Sequence, residues 1–575
     1  MTAPAPHAAR VLLQALAALG VRDVVLAPGS RSAPLAYALA AAAGSGRPEH
    51  APDLRLHVRV DERVAGFLAL GLARAAREEG TPRPVAVVTT SGTAVANLHP
   101  AVMEAHHAGL PLLLLTADRP HELRGTGANQ TTEQSGIFGP AVRLALDVPA
   151  PTGRDGEDRD LRHLASRAVS AAMGARTADP GPVQIDLAFR EPLTPDDDAW
   201  PAPDRAGLVE VRPAPVVVPE RPVPEGPVVV VAGDGAGDRA RTLAEAAGWP
   251  LLAEPSSGAR SGAHALAAYR MLLDRPELGG RIRSVVLLGR PTLSRPVSAL
   301  LARADVDLTV IAPTGADWPD AGRAADRVLA DVPPTWLREA TGDPAWLRDW
   351  QRADARAATA LDAELSEAGP ASARALPGPV VAAGVARATR PGDVLVLGSS
   401  NPIRDVDLVA RWSDPVTVLA NRGLAGIDGT VATAGGVALG LPGRRVRALL
   451  GDLTFLHDVG GLLHLDAEEL PELQIVVMND AGGSIFATLE HGAPERAEVF
   501  ERIFGTAHRA DLAGLCAGYR VPHRLVRTRA ELTEALDRPA PGTSVVEVVV
   551  DRDDRRGLTE RLSAAVRAAL GGESS

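Results

Sequence analysis

Val446-Arg447-Ala448-Leu449-Leu450 runs directly into Gly451-Asp452, and Ile475-Val476-Val477-Met478 runs directly into Asn479-Asp480. Two short aliphatic runs of this kind, each ending in Gly, Asp or Asn, read as buried parallel strands whose carboxyl ends open into loops. Asp452 and Asn479 lie 479 − 452 = 27 residues apart, about one strand–helix–strand unit, and are expected on neighbouring strand tips. A carboxylate and an amide oxygen placed there offer hard ligands to Mg²⁺ or Mn²⁺ and leave positions for phosphate oxygens and water. Gly482-Gly483, just beyond, would let backbone approach the phosphates closely. Two ordinary strand-end turns would use the same residue types, because Asp and Asn favour turns anyway. The rest of the chain has to decide between these readings.

Working outward, the same alternation of short apolar runs with Ala/Leu/Arg-rich helical segments fills the sequence. The runs are Val24–Leu26, Leu56–Val60, Val85–Thr89 and Leu112–Thr116. They continue with Val228–Val231, Val285–Leu288 and Leu308–Ile311, then Val394–Leu397, Val416–Leu419 and the two strands above. The pattern predicts an α/β chain built of doubly wound parallel sheets. A proline-rich stretch from about Pro192 to Gly226, and another from about Asp343 to Pro379 of helical composition ending in a Pro/Gly turn, read as linkers. They cut the chain into domains over 1–195, 225–342 and 378–575, a sensible number for 575 residues. The first and last blocks could be distant copies of one architecture.

Composition narrows the chemistry. The formal charge is 60 − 71 = −11, so no general basic field exists to hold nucleic acid or an anionic membrane. All 60 basic residues are arginine, in keeping with a GC-rich coding bias. Without lysine there is no Schiff-base chemistry of the pyridoxal-phosphate or lysine-aldolase kind. The single cysteine, Cys516, excludes an intrachain disulfide and a cysteine metal cluster and reads as a core residue. No apolar run reaches the roughly 18–20 residues of a membrane span. Val11–Leu19 reads as the first helix of a cytoplasmic protein rather than a signal peptide.

Ligands of open parallel sheets sit beyond the carboxyl ends of the strands, and the unusual residues gather there. The early tips are Gly29-Ser30-Arg31, Asp61-Glu62-Arg63, Ser91-Gly92-Thr93 and Asp118-Arg119. The later ones are Ser399-Ser400, Asn421-Arg422, Gly451-Asp452 and Asn479-Asp480. Taken alone, Glu62 is a first-turn glutamate favoured by the helix dipole. Arg31, Arg119, Arg404 and Arg422 are each unremarkable as surface arginines, but together they suggest a pocket that pairs bidentately with dicarboxylates. Gly233-Asp234-Gly235-Ala236-Gly237 imitates a dinucleotide loop. The last glycine of the fingerprint falls on Asp238, and no acid clearly ends a second strand about 20 residues on. It reads as a tight strand–helix turn. His99, His106, His107 and His457 lack zinc-site spacing and read as helix-packing residues.

Several of these stretches resemble one family in the right order. They are Ala27-Pro28-Gly29-Ser30-Arg31-Ser32-Ala33-Pro34, Asp61-Glu62-Arg63, Thr116-Ala117-Asp118-Arg119-Pro120 and Gly127-Ala128-Asn129-Gln130. Asn421-Arg422-Gly423, Gly426-Ile427-Asp428-Gly429, Gly451-Asp452-Leu453-Thr454-Phe455-Leu456-His457-Asp458 and Asn479 with Gly482-Gly483-Ser484-Ile485-Phe486 follow. The family is the 2-succinyl-5-enolpyruvyl-6-hydroxy-3-cyclohexene-1-carboxylate synthases of menaquinone biosynthesis. The resemblance covers the first and third blocks nearly end to end and the middle block loosely. It implies a thiamine-diphosphate fold with pyrimidine-binding, central and diphosphate-binding domains, in a homodimer or homotetramer with active sites between subunits. It implies that Glu62 bonds the pyrimidine N1′ of thiamine diphosphate, favouring the imino tautomer that removes the C2 proton. Asp452, Asn479 and the carbonyl of Ala481 would hold the metal, Gly482, Gly483 and Ile485 would contact the cofactor, and Ile427 would support its bent form.

The implied reaction decarboxylates 2-oxoglutarate and adds the resulting carbanion to isochorismate. Ser30, Arg31, Arg119, Gln130, Ser400, Arg404 and Arg422 match the family's substrate-contacting positions, and Ile485, Phe486 and Leu489 its apolar wall. Arg295 stands where the family has a lysine. Gly-Asp-Leu and Asn-Asp depart from the Gly-Asp-Gly and Asn-Asn of many thiamine-diphosphate enzymes but suit this family. The rival readings are an acetolactate-synthase-like carboligase acting on pyruvate, and a non-catalytic protein binding a nucleotide at Gly233–Gly237. Pyruvate has no second carboxylate for the arginines to clamp.

Overall fold

The structure is a computed structural model, and it describes residues 3–213, 216–367 and 375–571. Three parallel sheets account for the alternation read from the sequence. The first is built from β1 (Asp23–Leu26), β2 (Arg55–Val58), β3 (Val85–Thr89), β4 (Leu112–Asp118), β5 (Leu144–Val148) and β6 (Val183–Ala188), in the order β2-β1-β3-β4-β6-β5. The second holds β7 (Val228–Ala232), β8 (Leu251–Ala253), β9 (Ser284–Leu288), β10 (Asp307–Ile311) and β11 (Arg327–Leu329), in the order β11-β10-β9-β7-β8. The third holds β12 (Val394–Leu397), β13 (Thr417–Ala420), β14 (Val446–Gly451), β15 (Leu473–Asn479), β16 (His523–Val526) and β17 (Thr543–Val549). Its order, β13-β12-β14-β15-β17-β16, repeats that of the first.

Interior strands such as β3, β7 and β12 are buried on both faces, which is why they read as near-continuous apolar runs rather than alternating. Val24 and Leu26 pack into one cluster with the helix Pro4–Ala18, while Val25 and Ala27 pack into another with the helix Glu62–Glu78. In the second sheet Val229 and Val231 face one core, and Val228 and Val230 the other.

The compact units of the fold do not follow the three blocks. One unit joins the first block to 423–443 and 458–472; the other joins the middle block to the rest of the third. The cause lies in the helix Thr430–Gly440, made of Thr, Val, Ala, Gly and Leu and buried along its whole length. It lies on the helix Glu62–Glu78 at backbone distance. A Cβ on Gly71 would stand 2.1 Å from the carbonyl oxygen of Thr433, and one on Gly436 would stand 2.1 Å from that of Leu68. Only glycine permits that approach.

The two stretches read as linkers are better anchored than their composition suggests. Trp200 enters the first unit's core, and Arg10 donates to Asp197 and to the Ala199 carbonyl. Of the second stretch, 344–367 is one helix, Pro344–Glu367, whose Trp346 and Trp350 are core residues. It is a structural element rather than a spacer; 368–374 lie outside the described residues. Among the described residues no helix is long and apolar enough to cross a membrane.

Candidate active site

In the first unit the tips of β1, β3 and β4 are neighbours. Gly29 sits so close to Thr90 that a Cβ would fall 2.3 Å from that side chain, and the Arg31 N–H donates to Thr90 Oγ1 at 3.3 Å. Arg31 is buried, donates from Nη1 to the Phe189 carbonyl at 2.9 Å, and leaves Nε without a partner. Ser91 Oγ and Arg119 Nε are likewise buried and unpartnered. Gln130, at φ 53°, lies over Gly92. Ser30 is exposed at the same tip. Buried donors left unmade are costly, and a set of them converging on one sheet end suits an anionic ligand.

Below these tips is a buried polar network that the sequence reading did not find. Asp186 Oδ1 accepts from Thr116 Oγ1 at 2.8 Å and from Gln134 Nε2 at 2.7 Å, and Gln134 Oε1 accepts from the Gly92 N–H at 3.2 Å. Arg124 reaches Asp118 at 2.8 Å and Asp186 at 3.5 Å. Burial pushes both carboxyls upward, and the Asp118 charge pushes Asp186 further.

Glu62 is the first residue of its helix. Asp61 caps that helix, its Oδ1 accepting from the N–H groups of Arg63 and Val64 at 2.8 and 3.3 Å. Glu62 is half-buried and accepts from Asn97 Nδ2 at 3.3 Å. Ile427 belongs to the same unit. Its loop is held by Glu104, which accepts from the N–H groups of Gly423 and Leu424 at 2.7 Å each. The loop ends at Gly429 (φ 63°), where a Cβ would fall 1.9 Å from the Phe67 ring. Ile427 and Glu62 are thus fixed to one helix.

In the second unit β14 and β15 pair in parallel with Gly451 opposite Met478, so the residues that follow, Asp452 and Asn479, leave adjacent strands at the same level. Asp452 is 2% exposed. Its Oδ1 accepts from the Leu453 N–H at 2.6 Å, and its Oδ2 from the Gly482 N–H at 3.0 Å, with His508 Nε2 at 3.1 Å. Burial pushes this carboxyl up, while His508 and the two N–H groups oppose it. Asn479 Nδ2 donates to Glu547 Oε1 at 2.6 Å, which turns the amide so that Oδ1 meets the Ala481 N–H at 3.0 Å. Glu547 is held in turn by His523 at 2.8 Å. Ala481 adopts φ 57°, an uncommon conformation for a residue with a side chain. Its carbonyl accepts from the His508 N–H at 3.2 Å.

A carboxylate, an amide oxygen and a carbonyl are hard oxygen donors that fit Mg²⁺ or Mn²⁺. Among the described residues no group of three His, Cys, Asp or Glu is placed to hold a metal. A cation bound here would draw on amide and carbonyl oxygen, as this set does.

Gly482 and Gly483 have a structural role of their own. A Cβ on either would fall 2.3 Å from the Gly505 carbonyl or 2.6 Å from that of Phe504, and the Gly483 N–H donates to Gly505 at 2.7 Å. The pair admits the 504–505 backbone. Ile485, Phe486 and Leu489 are half-buried on the turn that follows, with Phe486 5.7 Å from the Phe504 ring.

Tips in the third sheet come in the order β13, β12, β14, β15, so the arginines lie at one side and the oxygen donors at the centre. Arg404 donates to the Ser400 carbonyl at 2.9 Å, and Asn401 joins this tip to Ser484 at 2.7 Å. Burial, with Arg422 and Arg270 nearby, lowers the Arg404 pKa. Arg422 is buried and donates to Ser399 Oγ and Thr292 Oγ1. Arg295, by contrast, is exposed and pairs with Glu490 at 3.2 Å. In the Gly233–Gly237 turn, the N–H groups of Gly233, Asp234, Ala236 and Gly237 already bond to carbonyls of Leu288, Arg290, Gly233 and Ser257. A Cβ on Gly233 would overlap Arg290 and Pro291, so this glycine serves chain packing.

Residues 6–137 match the thiamine pyrophosphate enzyme, N-terminal TPP binding domain, and 405–548 match the C-terminal TPP binding domain. Three relatives bear the name 2-succinyl-5-enolpyruvyl-6-hydroxy-3-cyclohexene-1-carboxylate synthase. The one from Kineococcus radiotolerans is 51% identical, covering 99% of this chain and 100% of its own. That from a Nocardioides species is 49% identical (98% and 99%), and that from Paenarthrobacter aurescens 48% identical (98% and 97%). Among solved structures, benzoylformate decarboxylase from Polynucleobacter necessarius is similar in fold. Its TM-score is 0.66 at 18% identity, over 95% of this chain and 99% of that one.

Proposed function

The chain belongs to the 2-succinyl-5-enolpyruvyl-6-hydroxy-3-cyclohexene-1-carboxylate synthases, thiamine-diphosphate-dependent transferases of menaquinone biosynthesis, and from that premise we propose the substrates and the residues that carry the reaction. The substrates are 2-oxoglutarate, which loses CO₂, and isochorismate, whose conjugated double bond receives the succinyl carbanion equivalent. When bound, thiamine diphosphate supplies the carbon nucleophile and the electron sink.

Asp452, Asn479 and the Ala481 carbonyl would hold Mg²⁺ or Mn²⁺, whose charge would offset that of the diphosphate, and Gly482, Gly483 and Ile485 would contact the cofactor. Glu62 holds a proton toward the pyrimidine N1′, and Ile427 supports the cofactor from its fixed loop. Ser30, Arg31, Arg119, Gln130, Ser400, Arg404 and Arg422 bind substrate carboxylates and hydroxyls, with Arg295 contributing charge at the rim. Ile485, Phe486 and Leu489 exclude water, which favours loss of neutral CO₂ from a charged reactant. The protein acts in the cytoplasm as a homodimer or homotetramer.

The observation that supports this reading most is the pairing of β14 with β15, which sets Asp452 beside Asn479. The test is mass spectrometry of the protein with 2-oxoglutarate and isochorismate, with and without thiamine diphosphate and Mg²⁺. A cofactor-dependent adduct bearing the succinyl unit is expected. CO₂ release from pyruvate in preference to 2-oxoglutarate would favour the acetolactate-synthase-like alternative.

A further inference from the structure

Glu254 follows β8 and is 1% exposed. Its Oε1 accepts from the N–H groups of Thr292 and Leu293 at 2.8 Å each, while its Oε2 is buried without a partner. Thr292 lies on the loop after β9, and its hydroxyl oxygen receives both Arg422 Nε, at 3.1 Å, and Arg422 Nη2. Arg422 Nη1 reaches Ser399 Oγ at 3.3 Å, and Arg290 Nη2 donates to the Arg422 carbonyl at 2.7 Å. A buried carboxyl therefore fixes a loop of the middle sheet, and the loop's hydroxyl fixes the most deeply buried arginine at the third sheet's tips.

Deepening the reading above, and resting on it, we propose that Glu254 is a positioning residue that sets the Arg422 guanidinium, through Thr292, for a substrate carboxylate. Oriented side chains matter here because a bidentate arginine–carboxylate pair has a fixed geometry. The protonation state of Glu254 suits the role. Burial, with Asp407 nearby, raises its pKa to about 8 despite Arg422. A carboxyl biased toward its neutral form in this way still accepts from both N–H groups through Oε1.

The experiment compares Glu254→Ala, Glu254→Gln, Thr292→Val and Thr292→Ser in the cofactor-loaded enzyme, measuring KM for each substrate and kcat separately. Loss of one positioned charge-assisted contact corresponds to about a tenfold rise in KM. That rise is expected for at least one substrate in Glu254→Ala and Thr292→Val, with kcat within about threefold. Glu254→Gln keeps an acceptor for both N–H groups and Thr292→Ser keeps the hydroxyl, so both are expected to rescue KM. If Glu254→Ala does not fold, Thr292→Val decides. Unchanged KM values in the Ala and Val variants, or Gln as impaired as Ala, overturn the proposal. Failure of the wild-type enzyme to turn over 2-oxoglutarate overturns the functional reading, and this proposal with it.

Discussion

The first and third sheets have the same strand order, β2-β1-β3-β4-β6-β5 and β13-β12-β14-β15-β17-β16, yet their acids leave different strands. In the first sheet the candidate proton-handling carboxylate, Glu62, follows β2, an edge strand, and is half-buried beside one amide. In the third, Asp452 and Asn479 follow the central pair β14 and β15 and are wrapped by backbone N–H groups, His508 and Glu547. Two neighbouring central tips can converge on one small ion, because adjacent strands run about 4.8 Å apart. An edge tip cannot offer that pair, but it can present a single carboxylate sideways. On the proposed reading, the same scaffold would serve metal binding at one sheet and proton placement at the other, by the choice of strand.

Mg²⁺-dependent affinity for thiamine diphosphate retained in Asp452→Ala would remove the metal from the central tips. The expected result in calorimetry is loss of the metal-dependent binding, and of all activity with it. Glu62→Gln should do the opposite, binding cofactor normally but losing about 100-fold or more in turnover, the usual scale of a general acid–base group. Near-normal kcat there would remove Glu62 from the proton path.

Glu547→Ala leaves the proposed metal donors in place while freeing the Asn479 amide. Loss of such an orienting partner weakens metal affinity by about 10–100-fold, which an Mg²⁺ titration of activity would read. The smallest effect concerns the buried acid of the first sheet. Folding raises the Asp186 pKa, so the native state holds this proton more tightly than the unfolded chain does. Stability is therefore lost as pH climbs from about 4, the unfolded carboxylate value, through the folded one. Asp186→Asn, which keeps an acceptor for Thr116 and Gln134, should melt higher than wild type at pH 8 and no higher at pH 4, by differential scanning calorimetry.

Strands with a strong apolar run could be read directly, and each of the eleven runs quoted from the sequence overlaps a strand of the structure, although Leu56–Val60 extends two residues past β2 and Val416 precedes β13. Those passed over fall into two kinds. β5, β8, β11 and β16 are edge or flanking strands, short or partly exposed, with little apolar signal. β6 and β17 are interior but carry Gln184, Asp186, Ser544 and Glu547. Asp186 and Glu547 are tolerable in a strand because Thr116, Gln134, His523 and Asn479 meet them from elsewhere in the fold.

The sequence by itself determined the parallel α/β architecture, the tips where chemistry could gather, and the family. Apolar runs ending in Gly, Asp or Asn carry that information locally. Only the tertiary structure decided that the helix Thr430–Gly440 packs with the first block, that Gly482 and Gly483 admit the 504–505 backbone, and that Glu254 reaches Arg422 through Thr292. Each of these depends on the distance between backbones remote in sequence, and residue type does not encode a distance until the chain has folded.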